Sequence, residues 1–290
     1  KRFPVFRDKI LECDNHWKRI SGYSFLAEYG LFTENAQADV PISDPIVAQP
    51  AIAFFQIALF HLYESFGIVP NTVIGHSAGE QTAFYASGAL TLEDTIKISY
   101  YRSIYQQQTA GLGNMLVINQ NIGTIDTLLE ANPALELAVV NSNTSYVFSG
   151  PTEGIDLLKK QLTEDGISAI KIAGRCPFHS SLQESIKEKI LTSTRDIVCH
   201  EPKIELISTV TGYSFQKDDY TPDYWWNNIR NVVRFYEGIE QSDADVFIEI
   251  APHIVLTSNI QIVHKEALVL HSAHRKEDSA RRFLSTLAKL

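Results

Sequence analysis

The 290-residue chain is 44% apolar, long enough to bury one large core with a smaller subdomain beside it and too apolar to stay disordered. Its formal net charge of −9 removes the usual reason to expect nucleic acid, whose binders carry basic patches. Three cysteines, Cys13, Cys176 and Cys199, form no short-spaced metal or redox motif, so no metal is expected, and an odd count without a secretory leader points to a reducing, cytoplasmic compartment.

In chain order, the longest apolar stretch runs from Pro50 to Tyr63; Gln56 and His61 interrupt it, and it falls short of a membrane span. Thr72-Val73-Ile74 predicts a short strand, Gly75-His76-Ser77-Ala78-Gly79 follows it, and a helix begins near Glu80. That is the strand, turn and helix context of a nucleophile elbow, in which glycines let the backbone reverse around the serine. Read alone, a G-x-S-x-G fits a plain tight turn equally well, so its context decides. Gly88 closes the helix, and Thr91 with Asp94 three residues on predicts a capping box opening the next one. On that second helix Ile96, Tyr100 and Ile104 mark the buried stripe and Arg102 a neighbouring flank, from which its head can enter a cleft. Glu93 and Asp94 lie too far along the helix to pair with Arg102, which leaves another acidic partner open.

Strands at Met115–Asn119, Leu135–Asn141, Tyr146–Ser149 and Ala169–Ala173, with helices at Thr124–Ala131 and Glu153–Glu164, spell β-α-β-β-α-β, the ferredoxin-like order. Asn141-Ser142-Asn143-Thr144 supplies the central turn, and Asp165-Gly166 stops the second helix. Around this unit, helices alternate with short apolar strands such as Val73-Ile74, Ile204–Thr209 and Val246–Ile250, which predicts an α/β sheet covered on both faces. The fold expected is α/β: an α/β-hydrolase-like large subdomain over residues 1–114 and 175–290, with a ferredoxin-like small subdomain inserted at 115–174. A cleft between them would receive Ser77 from one body and, from the loop Cys176-Pro177-Phe178-His179-Ser180, His179 just after the last strand of the other.

The Gly-His-Ser-x-Gly-Glu elbow at 75–80, Arg102 placed 25 residues after the serine and Phe178-His179 with the histidine 102 after it resemble the acyltransferase domains of polyketide synthases and animal-type fatty acid synthases. Gln49-Pro50-Ala51, Gly113-Asn114-Met115, Tyr224-Trp225 through Asn228-Ile229-Arg230 to Phe235, and Phe247 through His253 resemble stretches of those domains in the same order. The resemblance implies acyl-coenzyme A as substrate, no bound cofactor, and as partners the phosphopantetheinylated acyl carrier protein and neighbouring domains such as a ketosynthase; the net charge and the short apolar stretch give no reason to expect nucleic acid or membrane. It also implies that Gln49, His76, Met115 and Phe178 lie beside the substrate. The family's Gly-x-Gly-x-Gln turn, source of a second oxyanion donor, has no counterpart before Ser77; Lys1-Arg2-Phe3-Pro4 resembles a point just after it. Ala78 and Cys176-Pro177 replace residues the family more often carries there.

The chemistry expected follows from residue types. Ser77 needs a base to become a nucleophile, and His179 is that base. The backbone N–H of Ala78 is the candidate oxyanion donor, and His76 is structural unless, as the resemblance implies, it touches substrate. Cys176 reads as a buried thiol rather than a nucleophile. Arg102 offers two parallel hydrogen bonds to a carboxylate, so the acyl group expected is malonyl or a 2-alkyl relative. Phe178 stands where methylmalonyl-selective relatives tend to carry serine, which points to malonyl, with methylmalonyl the alternative. The rival readings are a serine hydrolase with a late histidine such as His264 or His271, and a catalytically silent docking domain.

Overall fold

The computed structural model of the protein describes residues 2–31, 40–121 and 125–290. Helices α1 (Pro4–Ser21), α2 (Phe25–Tyr29) and α3 (Pro45–Ser65) lead into strand β1 (Thr72–Ile74), a 3-10 turn at Ser77–Gly79, and helices α4 (Glu80–Ser87) and α5 (Leu92–Gln107). Next come β2 (Asn114–Ile118), α6 (Ile125–Ala131), β3 (Glu136–Ser142), β4 (Ser145–Gly150), α7 (Thr152–Glu164) and β5 (Ala169–Lys171). A 3-10 segment at Ser181–Ile186 precedes α8 (Lys187–Thr194), β6 (Glu205–Ser208) and β7 (Tyr213–Ser214). The chain ends with α9 (Tyr224–Arg230), β8 (Val233–Arg234), α10 (Phe235–Glu240), β9 (Val246–Glu249), α11 (Thr257–Val263), β10 (Leu268–His271) and α12 (Ser279–Leu287).

Helix α3 is longer than the apolar stretch that announces it, because Pro45 opens it five residues earlier at a position where a missing N–H costs nothing. Its 21 residues are long and apolar enough to cross a membrane, contrary to expectation, yet 61% of its most apolar window is buried inside this fold. There Phe54, Ile57 and Ala58 pack against Trp17 of α1 and Ile96 of α5, which makes α3 the central helix of the core. Thr91 caps α5 by accepting from the Asp94 N–H at 3.1 Å, while its own proton goes to the Asp94 carboxylate at 2.7 Å. The Asp94 side chain therefore turns to the cap hydroxyl, a variation on the expected box.

The strands β2, β3, β4 and β5 form the expected ferredoxin-like sheet, with antiparallel ladders between β2 and β4, β2 and β5, and β3 and β4. Thr124, expected to open α6, lies outside the described residues. The sheet also gains a strand that no periodicity announced: β8 pairs parallel to β3, giving the order β5-β2-β4-β3-β8. Two residues, Val233 and Arg234, are too few for a pattern, and only packing defines them as a strand. The large body differs more. Its strands divide into a three-stranded sheet, β1-β6-β7, and a separate parallel pair, β9 and β10, instead of one sheet. Gln56 of α3 ties the end of β9 to α4: it donates to Ile250 O at 3.0 Å, just past β9, and accepts from Thr82 Oγ1 of α4 at 2.8 Å. Phe84, Leu206, Phe215 and Trp225 fill the core under β1 and β6, and Leu116, Phe148, Ile155 and Leu158 fill that of the small sheet. Each fully buried Phe or Leu of this kind contributes about 1.5–3 kcal/mol of transfer free energy.

Candidate active site

The elbow is built by one obligatory glycine. A Cβ on Gly75 would lie 2.3 Å from Glu80 Cα and 2.5 Å from Glu80 N, so the turn closes only because position 75 has no side chain. Gly79 is different: a Cβ there would meet nothing nearer than the Gln56 side chain at 3.7 Å, an ordinary contact, so the second glycine of the motif is not sterically required for the turn itself. The reversal leaves Ser77 at φ 52°, in the left-handed region that a residue with a side chain adopts only under constraint. Among the described residues one other non-glycine shares that region, His179 at φ 57°. The two strained positions meet: Ser77 Oγ lies 2.7 Å from His179 Nε2.

His179 is oriented by the main chain. Its Nδ1 lies 3.0 Å from the carbonyl of Asn231, an acceptor only, so Nδ1 carries the proton and Nε2 is free to accept from Ser77. The imidazole is buried, and burial, with the Arg102 and His76 side chains beside it, lowers its pKa to about 3. It is neutral at physiological pH, the state a general base needs.

Arg102 does not sit on a flank of α5. It lies in the middle of the buried face with Ser99, Ser103 and Gln106, while Tyr100 and Ile104 are only half-buried. Helix α5 packs against α1, α3, α4 and α8, so it is enclosed from several sides and polar residues are carried inside. Arg102 as a whole is 3% exposed. Its Nη1 donates to Asn228 Oδ1, its Nη2 donates to Ser77 Oγ at 3.2 Å, and its Nε has no acceptor among the described residues. No carboxylate among the described residues comes within ion-pair distance of it. Burial lowers its pKa to about 10, against the opposing field of Glu80, so it stays charged at neutral pH.

Asn228, unassigned by sequence reasoning, joins these parts, since its Nδ2 also donates to Ser77 O at 3.3 Å. Glu80, fully buried, sets its position. That carboxylate accepts from Thr209 N, Thr209 Oγ1 and Tyr224 OH, tying the first turn of α4 to the end of β6 and to α9, the helix that carries Asn228. Burial raises the Glu80 pKa despite these bonds. The motif showed Glu80 to be part of the elbow, but nothing in its spacing named its partners.

Over residues 1–290 the chain matches the family of acyl transferase domains. It belongs to that family. Probable polyketide synthase 6 of Dictyostelium discoideum is 35% identical over 303 residues, which cover 99% of this chain and 10% of that protein. Probable polyketide synthase 17 of the same organism is 33% identical over 310 residues, covering 99% and 12%; the chain thus spans a small part of the length of the curated relatives it matches. A loading acyltransferase from the avermectin modular polyketide synthase superposes with a TM-score of 0.90 at 26% identity, covering 99% of this chain and 92% of that one. The acyltransferase domain from module 8 of the salinomycin polyketide synthase does so with 0.89 at 30% identity, covering 99% and 69%. Malonyl CoA-acyl carrier protein transacylase from Clostridium perfringens gives 0.81 at 25% identity over 97% of this chain and 90% of that one. The chain is accordingly an acyltransferase, and its α/β architecture is the one these enzymes share.

In the acyltransferase domain the remaining expected residues fall into two groups. His76 is half-buried beside the serine; its Nε2 lies 2.8 Å from Asn141 Oδ1 and its ring makes an edge contact with Phe235. Asn141 was expected to end the strand and open the turn; β3 continues one residue further, through Ser142, and Asn141 reaches His76. Ala78 occupies the first 3-10 turn after the serine. Phe178 and Met115 pack in one cluster with Val139, Val233 and Phe235, and both line a small cavity with Ser43, Gly174 and Cys176. Gln49 stands apart: it is buried, and its Nε2 donates to Gln106, not to Ser77, His179 or Arg102. Burial raises the Cys176 thiol to about 11, and its Sγ points to the Gln106 carbonyl, so the thiol is inert. His264, the late histidine of the rival reading, is engaged with Ile239 O at 2.7 Å, far along a different element from the elbow.

Proposed function

We propose that this acyltransferase domain takes a malonyl-type extender unit from coenzyme A as an acyl-Ser77 intermediate and passes it to the phosphopantetheine thiol of an acyl carrier protein, in two ping-pong half-reactions of polyketide or fatty acid synthesis. The observation that carries this reading is Arg102, a buried guanidinium with no carboxylate partner among the described residues, 3.2 Å from Ser77 Oγ. A buried cation without a paired anion is costly, and an acyl group ending in a carboxylate would supply that anion through two parallel bonds. Malonyl has such an end and acetyl does not.

In the first half-reaction Ser77 Oγ attacks the thioester carbon while its proton passes to His179 Nε2. The carbonyl oxygen takes the negative charge and the Ala78 N–H, at a helix start, stabilises it. Collapse breaks the C–S bond, and the departing thiolate takes the proton from Nε2. In the second half-reaction the carrier thiol gives its proton to Nε2, its sulfur attacks the acyl carbon, and the ester C–Oγ bond breaks as Ser77 Oγ takes the proton back from Nε2. The Asn231 carbonyl holds the Nδ1–H tautomer throughout. The reaction needs no bound cofactor. The polyketide synthase relatives support a carrier protein and adjoining domains such as a ketosynthase as partners. A division into a large body, residues 1–114 and 175–290, and a small one, 115–174, fits a cleft that both line.

Intact-protein mass spectrometry after incubation with a panel of acyl-coenzyme A thioesters tests the reading; a malonyl adduct on Ser77 is expected, and no adduct from any thioester overturns it. Two further results are expected. The first concerns pH. With the free His179 pKa near 3, the second-order rate of Ser77 acylation stays level from about pH 8 to about pH 5, and an inflection near the ordinary histidine value of about 6.5 would mean that burial does not depress His179 in this way. Stability carries the same sign: the unfolded histidine binds a proton that the folded one refuses, so the contribution of a neutral His179 is complete above about 6.5 and is lost as pH falls toward 3.

The second concerns extender choice. Phe178 fills the space a 2-methyl group would need, so malonyl is preferred over methylmalonyl by roughly ten- to two-hundredfold, the worth of one excluded methyl. Phe178→Ser narrows that gap and lowers malonyl transfer through under-filling. The small Ala78 beside the nucleophile favours methylmalonyl as the second reading. Competition between equimolar thioesters, read by adduct mass, separates the two, and a methylmalonyl adduct predominating on the unmodified protein overturns malonyl.

A further inference from the structure

Behind the His179 loop runs a buried row of three glutamines that the reaction above does not use. Gln183, in the 3-10 segment after the loop, is fully buried and donates from Nε2 to Pro177 O at 3.1 Å and to Thr109 Oγ1 at 2.9 Å. Thr109 spends its own proton on Gln106 O at 2.8 Å, so its hydroxyl has to accept from Gln183, and the Gln183 amide has one allowed orientation. Its Oε1 then faces Gln106 Nε2 at 3.3 Å, and Gln106 Oε1 accepts from Gln49 Nε2 of α3 at 2.7 Å. The row ends on Gln49 Oε1, which is buried without a partner among the described residues. Every bond thus points the same way, from the central helix to the carbonyl two residues before His179.

That carbonyl matters because His179 holds a left-handed backbone at φ 57°, which persists only where its surroundings impose it. Ser180 Oγ also donates to Pro177 O, at 2.7 Å, so the same oxygen is held from both sides. We propose that Gln183 is a positioning residue: through Pro177 O, with Gln106 and Gln49 behind it, it fixes the His179 backbone and so keeps Nε2 in line with Ser77 Oγ. The inference rests on the reading of Ser77 and His179 as the reacting pair. It predicts that loosening the row displaces the base and leaves the Arg102 grip on the acyl carboxylate, which comes from α5, in place.

The test is single-turnover acylation of Ser77 by malonyl-coenzyme A over a range of concentrations, which separates the maximal rate from the half-saturating concentration. Gln183→Met, close in volume and without donors, is expected to lower the maximal rate about ten- to hundredfold, as a displacement on the order of 1 Å does, with half-saturation within about twofold of the parent. Gln106→Met is expected to behave alike, and the double variant to be no slower than the slower single one, since one row is broken only once. An unchanged maximal rate in Gln183→Met, a loss confined to half-saturation, or multiplied losses in the double variant would each overturn the proposal. If Gln183→Met does not fold, as judged by its thermal melt, Gln106→Met carries the test alone with the same expectations. Failure of the unmodified protein to acylate would overturn the proposed function instead, which keeps the two results distinct.

Discussion

Ser77→Ala is expected to leave no acyl adduct on the protein, and His179→Ala to slow adduct formation by about a hundredfold or more, the usual worth of a positioned general base. The 2.7 Å bond between Ser77 Oγ and His179 Nε2 is the physical ground for both. A hydroxyl remains a poor nucleophile unless its proton has somewhere to go at the moment of attack. Among the described residues no carboxylate pairs with the histidine; the Asn231 carbonyl orients it, and burial, then the Arg102 charge, disfavour its protonated form. A base so placed gives its proton up readily to a departing thiolate. Intact mass after a timed exposure to malonyl-coenzyme A measures both variants, and an adduct persisting on Ser77→Ala protein would move the nucleophile elsewhere.

Arg102→Ala should reduce malonyl loading at least about tenfold, through loss of a charge-assisted contact of about 1.5–3 kcal/mol, while acetyl loading holds or improves. The contrast between the two acyl groups is the informative quantity. Removing the side chain also frees Asn228 Oδ1, but the Asn228 Nδ2 bond to Ser77 O does not run through Arg102, so acetyl loading is expected to be spared. Arg102→Lys, which keeps the charge and loses the two-pronged grip, should fall between parent and alanine for malonyl. Equal losses for malonyl and acetyl would make Arg102 a structural residue.

Local order was legible along the chain. The strand, glycine and serine of the elbow, the four strands and two helices of the ferredoxin-like unit, and the cap at Thr91 all depend on residues near one another, whose spacing and backbone preferences act before anything else packs. Ser77, Arg102 and His179 were named through motif and spacing, with the resemblance supplying the pairing. Tertiary structure decided the rest. Asn228 and Ser77 are 151 residues apart and Arg102 and Asn228 are 126 apart, so no window along the chain relates them. Arg102 was assigned to a flank because periodicity sees one buried face, whereas α5 is enclosed by four helices. Val233 and Arg234 become a strand only because β3 offers them an edge, and Gln56, one polar side chain of the central helix, ties the end of β9 to α4 across 194 and 26 residues of sequence. A sequence states what each residue prefers locally; which distant groups share a buried hydrogen bond follows from how the elements pack, because only packing removes the water that would otherwise satisfy them.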